Sequence, residues 1–371
     1  MSDQTPTVPG PALAVVIPTR DEHGNIMPLY GRLCVALQGI NWEVIFVDDD
    51  SGDGTPDIVR RLAESDRRVR LLRRIGRRGL SSACIEGIQA SSTPFIAVID
   101  ADMQHDESLL PRMLAVLQNE PVDIVVGSRY AADGGVGDWN RQRARLSELA
   151  VRLSRRLLHV SLSDPVSGFF MIRRDAFEAS MRRLSTLGFK ILVDILVSSR
   201  RPLRIREMAY QFRSRQAGES KFDALIGWEY LVLLLDKLIG HILPIRFVLF
   251  TIVGGVGILA HLLMLWLFFE ILRLSFPVSQ TAATIVAMIG NFTLNNWLTY
   301  RDMRLSGWRW LAGLLSFCLI CSVGAAANIG IASFLFGEQH SSWWIAGIAG
   351  ALMSLVWNYT MTSMVTWRKP S

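Results

Sequence analysis

Cysteine is scarce in this chain. The four that occur, Cys34, Cys84, Cys318 and Cys321, fall in helix-length segments, so no disulfide framework defines the fold. Cys318 and Cys321 form a CxxC inside an apolar run, where that spacing places two small side chains on one helix face. No His or further Cys stands nearby to complete a metal site. The N-terminal string MSDQTPTVPGP lacks the charged start and apolar core of a secretory signal. The first apolar run, Leu13 to Ile17, is too short to cross a bilayer. Zinc-finger spacing, an aromatic RNA platform and a helix-turn-helix pattern are also missing, so the formal net charge of +6 is not read as nucleic-acid binding.

Ionisable residues become rare after residue 247. Four apolar runs, at roughly 247–270, 278–299, 310–336 and 343–367, each approach the ~20 residues that span a hydrocarbon core. Arg246, then Arg301, Arg304 and Arg309, then Arg368 and Lys369 fall at one end of these runs. The other end carries Arg273 and the acidic GEQH loop. The positive-inside rule puts both ends of this domain, and with them the N-terminal half, in the cytoplasm. Trp297, Trp308, Trp310, Trp343, Trp344 and Trp367 cluster near the ends of the runs as an aromatic belt does. The expected organisation is a soluble domain over 1–223, an interfacial amphipathic linker over 224–245 and an all-α, four-helix membrane domain over 246–371. Homo-oligomerisation is left open.

Strand-length apolar runs alternate with helical patterns in the first half. LAVVI at 13–17, EVIFV at 43–47, FIAVI at 95–99 and DIVVG at 123–127 are separated by helix-length segments at 25–38, 55–65, 80–91 and 107–118. This is the pattern of βα units around a mostly parallel sheet, whose ligands bind beyond the carboxyl ends of the strands. A further segment, NRQRARLSELAVRLSRRLLHV at 140–160, reads as a basic amphipathic helix. It suits either a membrane interface or an ordinary packed helix with a solvated basic side.

The strand ends carry the chemistry. Asp100 and Asp102 stand two residues apart beyond a buried strand, with Gln104 two further on; a locally extended chain would point all three to one side. Three hard oxygen donors suit Mg²⁺ or Mn²⁺, with diphosphate oxygens and water completing the shell. Asp48, Asp49, Asp50 and Asp53 crowd like charges at the second strand end, which calls for cations, ribose hydroxyls or base N–H groups to relieve them. Thr55, with Asp57, is expected to cap the helix that follows. Arg129 follows the fourth run and Arg143 lies past the glycine-containing ADGGVGDW, where guanidinium groups would grip phosphate bidentately. Arg215, Ser220 and Lys221 could add anion contacts. The partners expected of these arginines are anionic lipid and diphosphate.

VVIPTRDE, VDDDSGDGT, GLSSACIEGI, VIDADMQHDE, GSRYAADGGVGDWNRQRARLS, DPVSGFFMIRRDAF and FRSRQAGESK occur in that order between residues 12 and about 222. Together they resemble a family 2 glycosyltransferase of GT-A fold, and within it the dolichol-phosphate or polyprenol-phosphate mannose synthases. The resemblance implies an α/β, Rossmann-like domain in which Pro18, Thr19, Asp21 or Glu22, and Asp49 line the nucleotide pocket. It gives Asp100, Asp102 and Gln104 to the metal, and Arg129, Arg143 and Ser147 to the acceptor phosphate. Arg215 and Lys221 would hold the diphosphate side, with Asp102, Arg129 and Arg143 as the catalytic set. The chain departs from the family pattern at Arg20 and at Phe170. IGNFTLNNWLTYRD at 289–302 resembles the Asn-rich helix end of GtrA-like membrane proteins.

The implied reaction is inverting transfer of a hexosyl group from a nucleotide diphosphate sugar to polyprenyl phosphate, dolichyl or undecaprenyl, at the cytoplasmic face. GGxxxW after GSRY favours GDP-mannose, with UDP-glucose second. A processive synthase is disfavoured because its QxxRW signature is absent: Ser306 precedes Arg309 and Trp310 where Gln is required. A non-catalytic lipid-sugar carrier is the reading from another class, and the complete set of metal-site residues argues against it. One consequence is specific to the acceptor. Arg143→Ala should weaken use of polyprenyl phosphate much more than donor binding; separate binding and transfer measurements decide it, and equal losses would show the assignment wrong.

Overall fold

The computed structural model describes residues 10–77, 79–131, 135, 162–184, 191–213, 232–233, 235–236, 240, 243–337 and 342–368. The chain divides into two compact units, Met1–Leu238 and Ile239–Ser371. Most of the expected interfacial linker at 224–245 and all of the basic helix at 140–160 lie outside the described residues.

Seven strands build the first unit: β1 (Leu13–Thr19), β2 (Trp42–Asp48), β3 (Val69–Arg73), β4 (Phe95–Val98), β5 (Ile124–Ser128), β6 (Phe170–Arg173) and β7 (Ile205–Ala209). They run in the order β3-β2-β1-β4-β6-β5-β7. Four ladders are parallel and the two made by β6 are antiparallel, so the fold is α/β with a mostly parallel sheet. Every residue of β1 is buried, because helices cover both faces of a parallel sheet and its inner strands become continuous apolar runs.

The pleat sends alternate residues to opposite layers. Leu13, Val15, Ile17, Val44 and Phe46 pack with Ile26, Leu29 and Leu33 of α1 (His23–Ala36) and Leu110, Met113 and Leu117 of α4 (Leu110–Asn119). Val16, Ile45 and Val47 pack on the other face with Ala83, Cys84 and Ile88 of α3 (Leu80–Ala90). The same layer takes in Phe177 of α5 (Arg174–Met181) and Ile191, Leu192 and Ile195 of α6 (Ile191–Ser198). Gly87 lets α3 approach the sheet closely: a Cβ there would stand 2.5 Å from Val16 Cγ1 and 2.7 Å from Val47 Cγ2. The remaining helix, α2 (Thr55–Ser65), has Gly54 as its N-cap at φ 87°, so Thr55 sits inside the helix rather than capping it.

Among the described residues the second unit has four α-helices. The first, α7 (Ile245–Trp266), runs on through a π turn to Ile271, and α8 (Phe276–Leu294) ends in a π turn at Asn295–Thr299. Then come α9 (Trp308–Gly337) and α10 (Trp343–Met361), the latter ending in a π turn at Thr362–Thr366. Ile245–Ile271 and Trp308–Leu335, of 27 and 28 residues, are apolar and long enough to cross a bilayer; at 1.5 Å per residue each extends about 40 Å. Both hold large apolar side chains outward, such as Leu259 and Leu319.

The two helical hairpins repeat each other at a constant offset. Phe250, Gly257, Asn291, Thr299, Tyr300 and Arg301 recur as Phe317, Gly324, Asn358, Thr366, Trp367 and Arg368, and the structure respects the equivalence. Asn291 lies against Gly257 and Asn358 against Gly324. Phe250 meets Tyr359 at 5.8 Å while their equivalents, Phe317 and Phe292, meet at 5.6 Å. Tyr300 and Trp367, equivalent to one another, stack at 4.1 Å and 6°. A pair of equivalent residues touching each other marks a pseudo-two-fold axis between the hairpins.

One buried carboxylate ties the far end of the sheet. Asp123, 1% exposed, accepts from Arg201 at 2.8 and 2.9 Å, from the Arg204 backbone N–H at 2.9 Å and from the Arg204 guanidinium at 3.0 and 3.1 Å. Hydrogen bonds from Arg201 and then Arg204 outweigh burial and hold its carboxyl well below the usual range. A depressed folded-state pKa contributes stability that is present above the unfolded value of about 3.9 and is lost as pH falls further. Unfolding monitored from pH 6 to pH 3 should show this acid loss in the wild type and a flatter profile in Asp123→Asn; identical profiles would contradict it.

Candidate active site

Three strands deliver their carboxyl ends to one edge of the sheet, and beyond each of β1, β2 and β4 a non-glycine residue adopts positive φ: Asp21 at 53°, Asp50 at 57° and Met103 at 59°. Such backbone persists where surrounding bonds over-determine it, typically at functional sites. Ser51 Oγ accepts from the Asp21 N–H at 2.9 Å, and Asp21 Oδ1 accepts from the Gly52 N–H at 3.2 Å. The Glu22 N–H donates to Thr55 Oγ1 at 3.0 Å and the His23 N–H to Asp53 at 3.0 Å. Thr19 Oγ1 donates to Asp48 at 3.3 Å, and Ser51 Oγ donates to the same carboxylate at 2.6 Å. Pro18 and Thr19 are buried at the end of β1, while Asp21 is exposed and Glu22 half-buried.

The acidic run after β2 finds cations within the chain itself. Arg74, 2% exposed, forms an ion pair with Asp49, and the Gly79 N–H donates to the same carboxylate at 2.7 Å. Arg73 reaches Asp50 at 3.3 Å. Burial pushes the Asp49 carboxyl up from its ordinary value, against the opposing pull of Gly79 and Arg74. Partial burial also raises Asp53, but bonds from Thr55 and His23 prevail and bring it below its ordinary value.

Asp100, Asp102 and Gln104 follow β4. They do not project from an extended chain as the spacing suggested: residues 101 and 102 form a turn, Met103 is left-handed, and the Gln104 N–H closes on Asp102 Oδ1 at 3.2 Å. Asp102 and Gln104 are buried, whereas the Asp100 side chain is 36% exposed. Gln104 Nε2 donates to the Arg213 carbonyl at 3.1 Å, which turns its amide oxygen away from that contact. Asp100 Oδ2 lies 3.0 Å from His105 Nε2. Gly168 leaves it the room: a Cβ there would come within 2.6 Å of Asp100 Oδ2. Among the described residues no three His, Cys, Asp or Glu side chains gather into a metal-holding group. The metal donors expected here are two carboxylates and an amide, hard oxygens of the kind that share Mg²⁺ or Mn²⁺ with phosphate and water.

Arg129, buried beyond β5, closes its fork on Asp164: Nε donates to Oδ2 at 2.7 Å and one Nη to Oδ1 at 2.9 Å. Its guanidinium also lies over the rings of Phe212 and Tyr130. Arg143, Ser147, Arg215, Ser220 and Lys221 lie outside the described residues. Phe170, expected to depart from the family pattern, is an apolar core residue fully buried in β6 opposite Val98. Sequence reasoning missed Arg74, His105, Asp164, Gly168 and Tyr210. Of these only His105 carried a local signal, following Gln104 directly.

A mostly parallel sheet that presents acidic loops and a DxD turn along one edge is a GT-A glycosyltransferase domain, and the second unit makes the enzyme a membrane protein. Residues 14–180 match the family described as glycosyl transferase family 2, and residues 249–367 match GtrA/DPMS, transmembrane domain. The chain belongs to the family of dolichol-phosphate mannosyltransferases: it is 35% identical to the protein of that name from Pyrococcus furiosus over 96% of this chain and 99% of the other. It is 36% identical to the Mycosarcoma maydis protein of the same name, over 61% of this chain and 79% of that one. Among solved structures, glucosyl-3-phosphoglycerate synthase from Mycobacterium tuberculosis, crystallised with Mn²⁺ and UDP, aligns with a TM-score of 0.47 and 17% identity, covering 62% of this chain and 80% of that one.

Gly168→Ala tests the cradle around Asp100. The added methyl displaces the carboxylate, so turnover should fall roughly tenfold or more, as a misplaced group of about 1 Å is known to cost, while the thermal midpoint changes little. Unchanged turnover would mean that Asp100 needs no such cradle.

Proposed function

We propose that this enzyme transfers mannose from GDP-mannose to a polyprenyl phosphate, with inversion, at the cytoplasmic face of the membrane. The observation that carries the proposal is end-to-end similarity to the Pyrococcus furiosus dolichol-phosphate mannosyltransferase, soluble and membrane units included. Four spans with both ends in the cytoplasm are supported by the arginines at 246, 301, 304, 309 and 368, which all flank helix ends on one side.

Asp100, Asp102 and Gln104 would hold Mg²⁺ or Mn²⁺, which when bound supplies positive charge against the donor diphosphate. Pro18, Thr19, Asp21, Glu22 and Asp49 line the loops assigned to the nucleoside, and Arg215 and Lys221 are assigned to the diphosphate. Asp49 is positioned through Arg74 and Gly79. Arg129, Arg143 and Ser147 are assigned to the acceptor phosphate, and the Arg129 guanidinium is oriented by its paired bonds to Asp164. A phosphate monoester has its second pKa at about 6, so the acceptor arrives mostly ionised and needs no general base. Its oxygen forms the bond to the anomeric carbon from the face opposite the diphosphate, which departs with the electron pair of the broken bond. What the protein contributes is to hold two anions together in line.

Asp102→Asn removes charge but little volume. It should lower transfer roughly 100-fold or more while leaving folding and membrane insertion intact, and excess EDTA should silence the wild type. Labelled GDP-mannose should be used in preference to UDP-glucose by purified enzyme in detergent. Full activity in EDTA, or faster transfer from UDP-glucose, would overturn the corresponding part of the proposal.

A further inference from the structure

We infer that His105 is a positioning residue that aims the Asp100 carboxylate, with Tyr210 fixing which ring nitrogen carries the proton. The inference rests on the proposed metal role of Asp100 and deepens it.

His105 is buried, its side chain 3% exposed, yet both ring nitrogens are engaged: Nε2 with Asp100 Oδ2 at 3.0 Å and Nδ1 with the Tyr210 hydroxyl at 2.7 Å. Three rings box it in, those of Phe169 and Phe212 with centroids at 5.4 Å and Tyr210 at 5.7 Å. The imidazole therefore has one orientation. A carboxylate only accepts, so the bond to Asp100 needs the proton on Nε2. Burial pushes the Tyr210 phenol well above its ordinary value. The hydroxyl keeps its proton and donates it to Nδ1, which leaves the ring proton on Nε2. An aromatic residue would fill this box without bringing a polar ring into it. What the histidine adds is one N–H delivered through an apolar wall to Asp100, whose carboxylate occupies the space that Gly168 leaves free. Outer partners of this kind fix ligand orientation, and losing them costs about 10–100-fold in metal affinity.

The test uses the full chain in detergent, with Mn²⁺ alone titrated and followed by the spin resonance of the free ion, and thermal unfolding recorded alongside. His105→Leu should weaken Mn²⁺ binding about 10–100-fold. His105→Gln, whose amide N–H falls near the position of Nε2, should restore binding to within a few-fold of wild type. Tyr210→Phe, which keeps the box and removes the proton donor, should weaken binding by a few-fold and covers the case in which the leucine variant does not fold. Equal losses in the leucine and glutamine variants, or a leucine or phenylalanine variant that binds as wild type does, would overturn the inference while leaving the metal site standing. A wild type that takes up no Mn²⁺ would overturn the metal assignment and this inference with it.

Discussion

Repulsion among carboxylates is the constraint around which the first unit is built. Asp48, Asp49, Asp50 and Asp53 share one loop beside Asp21 and Glu22, and two unit charges 4 Å apart at a protein surface interact by roughly 4 kcal/mol. The chain answers with groups chosen for reach. Arg74 is buried among them, Arg73 covers Asp50 from the edge strand, and Ser51, Thr55 and the backbone N–H groups of His23, Gly52 and Gly79 donate to the carboxylates. Because these partners belong to the fold, the loops are set before any ligand arrives. Three left-handed non-glycine residues at one sheet edge are the backbone cost of that arrangement. At the neighbouring turn the DxD pair draws on partners of another kind: the His105 ring meets one oxygen of Asp100, and the Gln104 backbone N–H closes on Asp102.

How much of this was legible in the sequence follows from the same physics. The strands β1, β2, β4 and β5 were readable because strands covered on both faces are written as unbroken apolar runs. Missing from that reading were β3, β6 and β7. Two of them, VRLLR and IREMA, are the sheet's edge strands and carry charges toward solvent. The third is four residues long and joins antiparallel between β4 and β5. Placing the DxD residues beyond a strand end was enough to single them out, but their geometry was misjudged, since a side chain closing on the backbone two residues on makes a turn that spacing alone does not announce. Arg74 and Asp164 were invisible for a plainer reason: each meets its partner across a long stretch of chain, and a surface charge and a buried one are the same letter.

In the membrane unit composition located the helices and hid their relationship. Apolar helices look alike, so a duplicated hairpin becomes evident only when the few polar and small residues are placed in register. In each hairpin an asparagine of the second helix seats against a glycine of the first. That pairing brings helix backbones close and buries one amide among apolar side chains, the combination that holds helices together where lipid removes the hydrophobic drive.

The duplication also shows where symmetry gives way. Both second helices end in a π turn followed by an aromatic residue and an arginine, and the two aromatic rings stack on the pseudo-axis. Asn296 departs from the equivalence, its counterpart being Ser363. Its amide accepts from Trp367 Nε1 at 3.1 Å and from the Leu305 N–H at 2.8 Å, and donates to the Leu305 carbonyl at 3.0 Å. One side chain thus joins the end of the first hairpin, the segment connecting the hairpins and the last aromatic of the second. A serine in place of Asn296 could not span those three points, so the unit keeps the economy of a repeat and sets a longer amide side chain where the two copies must be joined.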